Sequence, residues 1–278
     1  MIKAIFFDID GTLLSAGGHV LPSTKKALRK AREQGILVGV ATGRDPAKVA
    51  RLLKSLPLDM YVTYNGQLVY TDNELIYART FEKAALEQIV NYADQKSRSV
   101  NFGLADHVIG SRLMKLGQSV AGQRLVRFLP QHLPVGFMKR VLQRVHFLRS
   151  NQHYRHMGIV NQAVYQCMMF SPVAGDQHLA KALPACDLLR SNSFSVDIVP
   201  KGGSKLAGIQ HFLAEKKIAP SEAMAFGDHL NDIDMLMGVG IGVAMGNGQR
   251  QAKDAADYVT GSNNSDGIAK ALKHFGII

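Results

Sequence analysis

Two carboxylates two positions apart, Asp8 and Asp10, follow the apolar run Ile5-Phe6-Phe7 at the start of a 278-residue chain. Side chains alternate along a strand, so an extended Asp8 and Asp10 share a face, and Gly11 then turns the chain. Two acids held that close repel each other. A divalent cation removes the repulsion. The chemistry this arrangement offers is a magnesium site in which one carboxylate attacks phosphorus and the other moves protons.

Three later segments add what such chemistry lacks. Ala41-Thr42-Gly43-Arg44 follows the apolar run Ile36–Val40. Lys201-Gly202-Gly203-Ser204-Lys205 opens a helical pattern, and Gly227-Asp228-His229-Leu230-Asn231-Asp232 follows Ala223–Phe226. Asp8 is the candidate nucleophile, which divides hydrolysis into making and breaking an aspartyl phosphate. Asp10 is the candidate acid and base. The Thr42 hydroxyl and neighbouring backbone N–H groups suit phosphoryl oxygens. The Lys205 ammonium neutralises charge, and Asp228 offers oxygen to a hard cation, for which magnesium is the usual choice. Lys201 competes with Lys205 and reads as a surface charge; Arg44 fits a surface charge, an ion pair or a substrate clamp equally well.

These segments need a scaffold that brings them to one rim. Lys3–Asp8, Ile36–Ala41 and Tyr61–Tyr64 read as strands. Between them lie helices from Ser23, as cap, to Gln34 and from Pro46, capped by Asp45. Gln67–Tyr70 and Glu74–Ala78 read as a hairpin. The alternation returns with a helix over Gly203–Lys216, strands at Ala223–Gly227, Ile241–Met245 and Tyr258–Thr260, and helices over Asn231–Met237, Gln249–Ala256 and Ser265–Phe275. Such alternation gives an α/β fold, a doubly wound, mostly parallel sheet whose sites sit at the carboxyl ends of the strands. The middle differs. A helical pattern (Leu86, Ile89, Val90, Ala93) leads into a basic stretch, then a strand-like Val164–Phe170, a helix near Asp176–Leu183, and Ser195–Val199, which alternates and reads as a strand returning to the core.

Charge marks the same division. The chain carries a formal +11, and from His107 to Gly175 it has no Asp or Glu against nine Lys or Arg and five His. That stretch draws anions. A nucleic-acid surface would want interleaved aromatics, and Phe128, Phe137, Phe147 and Tyr154 are few, with no Trp. Cys167 and Cys186 lack metal-type spacing and read as reduced structural thiols. No apolar run is long enough to span a membrane. The first strand begins at once, without room for a leader, so a cytoplasmic location is expected. The methionines at 168, 169, 235, 237 and 245 read as core.

Taken in order, Asp8–Leu14, Ala41–Arg44, Asn65-Gly66, Lys205 in its glycine-rich setting, Gly227–Asp232 and Ser265-Asp266-Gly267 resemble the haloacid dehalogenase (HAD) superfamily. Within it, the chain is similar to Cof-type phosphatases with a large α+β cap. The resemblance implies a HAD-like Rossmannoid core over 1–83 and 200–278 and an inserted cap over 84–199. It implies Asp8 as nucleophile and Asp10 as acid and base. It implies phosphate contacts from Thr42, Gly43, Lys205, Asn231 and the Ile9 backbone. Magnesium would be held by Asp8, the Asp10 carbonyl, Asp228 and Asp232. Leu206 and His229 depart from the usual pattern without removing a chemical group. The implied activity is hydrolysis of a small phosphorylated metabolite, a sugar phosphate foremost. The alternatives are a phosphosugar mutase and a non-catalytic anion- or nucleic-acid-binding module.

Overall fold

A computed structural model describes residues 1–110, 154–192 and 194–278. Most of the basic stretch, including Phe128, Phe137 and Phe147, lies outside the described residues.

The first sheet is built from β1 (Ala4–Phe7), β2 (Leu37–Ala41), β3 (Met60–Thr63), β4 (Leu68–Tyr70), β5 (Leu75–Ala78), β11 (Ala223–Gly227), β12 (Ile241–Ala244) and β13 (Tyr258–Val259). Its order is β13-β12-β11-β1-β2-β3-β4-β5. The strands from β13 to β3 run parallel, and β4 and β5 add an antiparallel hairpin. β1 is buried throughout because both its faces are covered, which is why it reads as an unbroken apolar run. Ile5 and Phe7 pack with Leu28 of helix α1 (Pro22–Glu33) and Leu272 of helix α8 (Gly267–His274). Ala4 and Phe6 pack on the other side with Ile209 and Phe212 of helix α5 (Lys205–Glu215).

Helix α2 (Pro46–Leu53) begins as its sequence suggests, with Asp45 accepting from the Lys48 N–H and Pro46 in the first turn. Helix α1 does not. Its N-cap is Leu21, with no side-chain cap bond, because Pro22 starts the helix two residues early. The Ser23 hydroxyl is thereby free to donate to Asp266 Oδ1 across the fold.

A second, antiparallel sheet has the order β7-β6-β8-β10-β9, from β6 (Val100–Gly103), β7 (Val108–Gly110), β8 (Gln166–Phe170), β9 (Cys186–Leu189) and β10 (Ser195–Pro200). Helices α3 (Lys83–Gln95) and α4 (Asp176–Ala182) cover one face, burying Leu86, Ile89 and Leu179 against Phe102, Cys167 and Ile198. The segment at 195–199 therefore does not enter the first sheet. It pairs with β8 and β9 instead, and the chain crosses back only at Gly202-Gly203. Both cysteines are free and buried here. Of the five methionines read as core, Met237 on helix α6 (Ile233–Gly238) is exposed.

Two glycines in the left-handed region differ in a testable way. A Cβ on Gly66 (φ +91°) would lie 2.0 Å from the Ser204 carbonyl oxygen, whereas one on Gly35 (φ +79°) would meet nothing within 4 Å. In thermal and denaturant melts, Gly35→Ala should cost about 1–2 kcal/mol, the backbone penalty alone. Gly66→Ala should cost well above that, about 4 kcal/mol or more, because backbone must also move.

Candidate functional site

Register brings the motifs together. Phe7 lies beside Val40 on one flank and Phe226 on the other, so Asp8, Thr42 and Asp228 all leave the sheet at the same rim. Gly11 makes the turn after Asp8 at φ +88°, and a Cβ there would sit 2.2 Å from Asp228 Oδ2. Only a residue without a side chain lets the first loop lie against that carboxylate. Thr12 donates its hydroxyl to Asp228 Oδ1 at 3.0 Å.

Helix α5 is capped by Ser204, which accepts from the Ala207 N–H, and its first residue is Lys205. The Lys205 side chain is fully buried. Its Nζ donates to Asp8 Oδ1 at 2.5 Å and to Asp232 Oδ1 at 2.6 Å. Asp232 uses its other oxygen to accept from the backbone N–H groups of Asp228 and His229, both at 2.8 Å, which fixes the loop after β11. Lys201 is exposed and pairs with Asp187. Leu206 packs against Gly238, where a Cβ would collide with it at 2.4 Å, so helix α6 makes room for the departure at that position.

The carboxylate oxygens of Asp8, Asp228 and Asp232 lie within 4.8 Å of one another. Burial pushes the Asp8 carboxyl well above the ordinary range, against the pull of Lys205, with Asp232, Asp228 and Asp10 adding to the rise. Asp228 is pushed up to about 7, by burial first and the Asp232 charge second. Burial works against the Lys205 ammonium, yet Asp232 and Asp8 hold its pKa above the ordinary lysine value. Crowded oxygen donors that resist ionising together are what a hard divalent cation relieves, so the three carboxylates fit one.

The groups facing this cluster are donors. Among the described residues, the N–H groups of Ile9 and Gly43 have no protein acceptor. Thr42 accepts the Arg44 N–H at 3.2 Å on its hydroxyl oxygen, which leaves the hydroxyl proton free to donate. Asn231 approaches from the loop after β11, its Nδ2 donating to Asn65 Oδ1 at 3.5 Å. Asp10 stands apart. Its half-exposed carboxylate is outside the carboxylate triplet and is gripped by Arg44 from Nε at 2.5 Å and Nη2 at 2.6 Å. Arg44 is thus an ion-pair partner of Asp10, which the sequence left undecided. His229 contacts the Arg190 carbonyl at 3.1 Å through Nδ1, and burial lowers its pKa. Asp234 is exposed.

The sequence marked Asn65-Gly66 as a strand end and as part of the family resemblance but gave Asn65 no role, and it gave Gln166 and Asp197 none either. Asn65 is wholly buried at φ 50°, between Tyr64 at φ 51° and Gly66. The available signal was Asn-Gly directly after a strand, a pair that tolerates left-handed backbone.

Fold and site together place acidic, hydroxyl and ammonium groups at the rim of a mostly parallel α/β sheet that is joined to a second, antiparallel one. The haloacid dehalogenase-like hydrolase family model matches residues 5–272, and the chain belongs to that family. Its sequence is 31% identical over 277 residues to the putative phosphatase YkrA of Bacillus subtilis (strain 168), covering 99% of this chain and 98% of that protein. The solved structure of the HAD subclass IIB sugar phosphatase BT4131 superposes with a TM-score of 0.80 at 29% identity, covering 99% of this chain and all of that one. A structure described as showing a trigonal-bipyramidal intermediate in a phosphoryl-transfer superfamily superposes at 0.81 with 30% identity, each chain covered completely. The resemblance to Cof-type phosphatases therefore holds, and the chain is a HAD-type hydrolase. Among the described residues, no helix is long and apolar enough to cross a membrane.

Replacing Lys205 by Met should leave two buried carboxylates without their partner, a loss of about 3–5 kcal/mol in metal-free buffer at pH 8. The deficit should shrink toward pH 5, where the carboxylates take up protons. The pH dependence of the parent protein follows the same sign. Asp228 has a raised folded-state pKa, so its contribution to stability is full below its unfolded value of 3.8 and is lost as pH rises through about 7. Chemical denaturation in chelator at pH 5, 6.5 and 8 measures both effects.

Proposed function

We infer that this protein is a magnesium-dependent phosphatase of small phosphorylated metabolites, hydrolysing a sugar phosphate or related phosphomonoester through a phosphoryl group carried on Asp8. The observation that carries this reading is the buried Lys205 ammonium joining Asp8 and Asp232, with Asp228 alongside and open donors at Ile9, Thr42 and Gly43.

In this mechanism an Asp8 carboxylate oxygen attacks phosphorus in line with the ester oxygen. The open N–H groups, the Thr42 hydroxyl, Asn231 and Lys205 hold the equatorial oxygens and the charge that develops on them. Asp10 gives its proton to the departing oxygen. It then takes a proton from water, which attacks phosphorus and returns Asp8 to its free carboxylate. Arg44 must release Asp10 for the protonated form to serve, since a bidentate pair fixes the carboxylate as acceptor. Asp8, Asp228, Asp232 and the Asp10 backbone carbonyl would hold magnesium, which supplies positive charge to the phosphoryl oxygens and shields the nucleophile from them.

The segment 84–199 acts as a cap that excludes water and meets the leaving group, in a cytoplasmic enzyme. Sugar phosphates are the leading substrate class, which is supported by the likeness over nearly the whole chain to a structure described as a sugar phosphatase.

Turnover across a panel of sugar phosphates tests the reading. Activity should require Mg2+, vanish with chelator and return on its addition. Asp8→Asn should lower kcat at least about 1,000-fold, because amide oxygen is a far poorer nucleophile. Activity that persists in that variant excludes the Asp8 intermediate. Magnesium should also raise the melting temperature, more at pH 8 than at pH 5, since it competes with protons for Asp8 and Asp228.

A further inference from the structure

The second sheet enters the site at two residues, Gln166 of β8 and Asp197 of β10. Their chain neighbours Cys167 and Ile198 point into the second core, so both project from the opposite face. Asn65 Nδ2 donates to Gln166 Oε1 at 2.8 Å and to Asp197 Oδ2 at 3.1 Å. With its oxygen accepting, Gln166 presents Nε2 as donor, and this reaches the Gly43 carbonyl at 3.0 Å. The remaining polar atom of the Asn65 side chain, Oδ1, accepts from Asn231. One buried amide thus touches the second sheet on one side and a loop of the candidate site on the other, while Gln166 holds the second loop directly.

Space is kept for this junction. A Cβ on Gly43 would fall 2.8 Å from Asn65 Nδ2 and 2.9 Å from Asp197 Oδ2. Asn65 reaches its position through consecutive left-handed residues, Tyr64 and Asn65, a conformation that persists only where surroundings over-determine it. Tyr64 supplies that constraint, donating its hydroxyl to the Leu104 carbonyl at 2.8 Å and stacking on Tyr165 of the second domain.

We propose that Gln166 and Asp197 are positioning residues through which the docked second domain orients Gly43 and Asn231, so that the phosphate pocket is complete only while that domain is in place. This rests on the phosphatase reading for the identity of the pocket. Holding the Gly43 carbonyl fixes the turn that carries the open Gly43 N–H. Holding Asn65 decides which way the Asn231 amide faces. A site assembled only on docking does its chemistry only when water is already excluded.

Gln166→Glu is the discriminating variant. It keeps the shape and the acceptor for Asn65 but sets an oxygen against the Gly43 carbonyl. It should weaken inorganic phosphate binding, and raise KM for p-nitrophenyl phosphate, about tenfold; the buried oxygen pair also lowers the melting temperature, so binding is read well below the transition. Asn65→Ala should lose a similar factor, and the double variant should be no worse than the worse single, because both act through one network. Amide hydrogen exchange should quicken at residues 42–44 in Gln166→Glu and at 65–66 in Asp197→Leu. Unchanged exchange, unchanged phosphate affinity, or losses that multiply in the double variant would each overturn the proposal. If the unmodified protein hydrolyses no phosphate ester, the phosphatase reading fails, and the exchange measurement alone still decides the docking proposal.

Discussion

The Lys205 ammonium, sealed between Asp8 and Asp232, is the constraint on which the rest of this site depends. A buried cation is tolerated only with partners at hydrogen-bond distance, and its two partners come from the ends of different strands. Their positions in turn need the register that sets Phe7 beside Phe226. With all three carboxylates ionised, one ammonium would leave two negative charges uncompensated, the deficit that one divalent cation would cancel. The arrangement is electrostatically unfinished, which is a cost in stability and a state that a bound cation would relieve.

Much of this was legible in the sequence because of how parallel sheets are built. A strand covered on both faces must be apolar along its whole length, so the first polar residues after it mark the rim. Asp8, Thr42 and Asp228 each follow such a run. Helix α5 was expected over Gly203–Lys216 and runs from Lys205 to Glu215, its start fixed by the Ser204 cap. Where local chemistry was ambiguous, tertiary contacts decided. Ser23 is a good cap by type, yet Pro22 started the helix first and the hydroxyl went to Asp266. Ser195–Val199 alternates as any half-covered strand does, and alternation carries no information about which sheet it joins.

The second domain was less legible for a physical reason. Its strands β6 (Val-Asn-Phe-Gly) and β9 (Cys-Asp-Leu-Leu) interrupt their apolar residues with polar ones and lack the unbroken apolar runs that mark β1 and β2. Among the described residues, neither polar atom of the buried Asn101 amide on β6 has a partner, a placement no propensity argument anticipates. Gln166 and Asp197 likewise carry no local signature. Their meaning lies in contacts with Asn65 across 101 and 132 residues of chain.

Those contacts also explain why Asn65 must be an asparagine. The position needs left-handed backbone, two donors directed at an amide oxygen and a carboxylate, and one acceptor for Asn231. Glycine supplies the backbone without the hydrogen bonds. Aspartate tolerates the same backbone but turns both donors into acceptors facing Asp197, which burial already pushes up to about 6. Glutamine has the right atoms on a stem one carbon too long for a side chain that is wholly buried. The residue that looked like the end of a strand is therefore a joint between the parallel sheet and the antiparallel one.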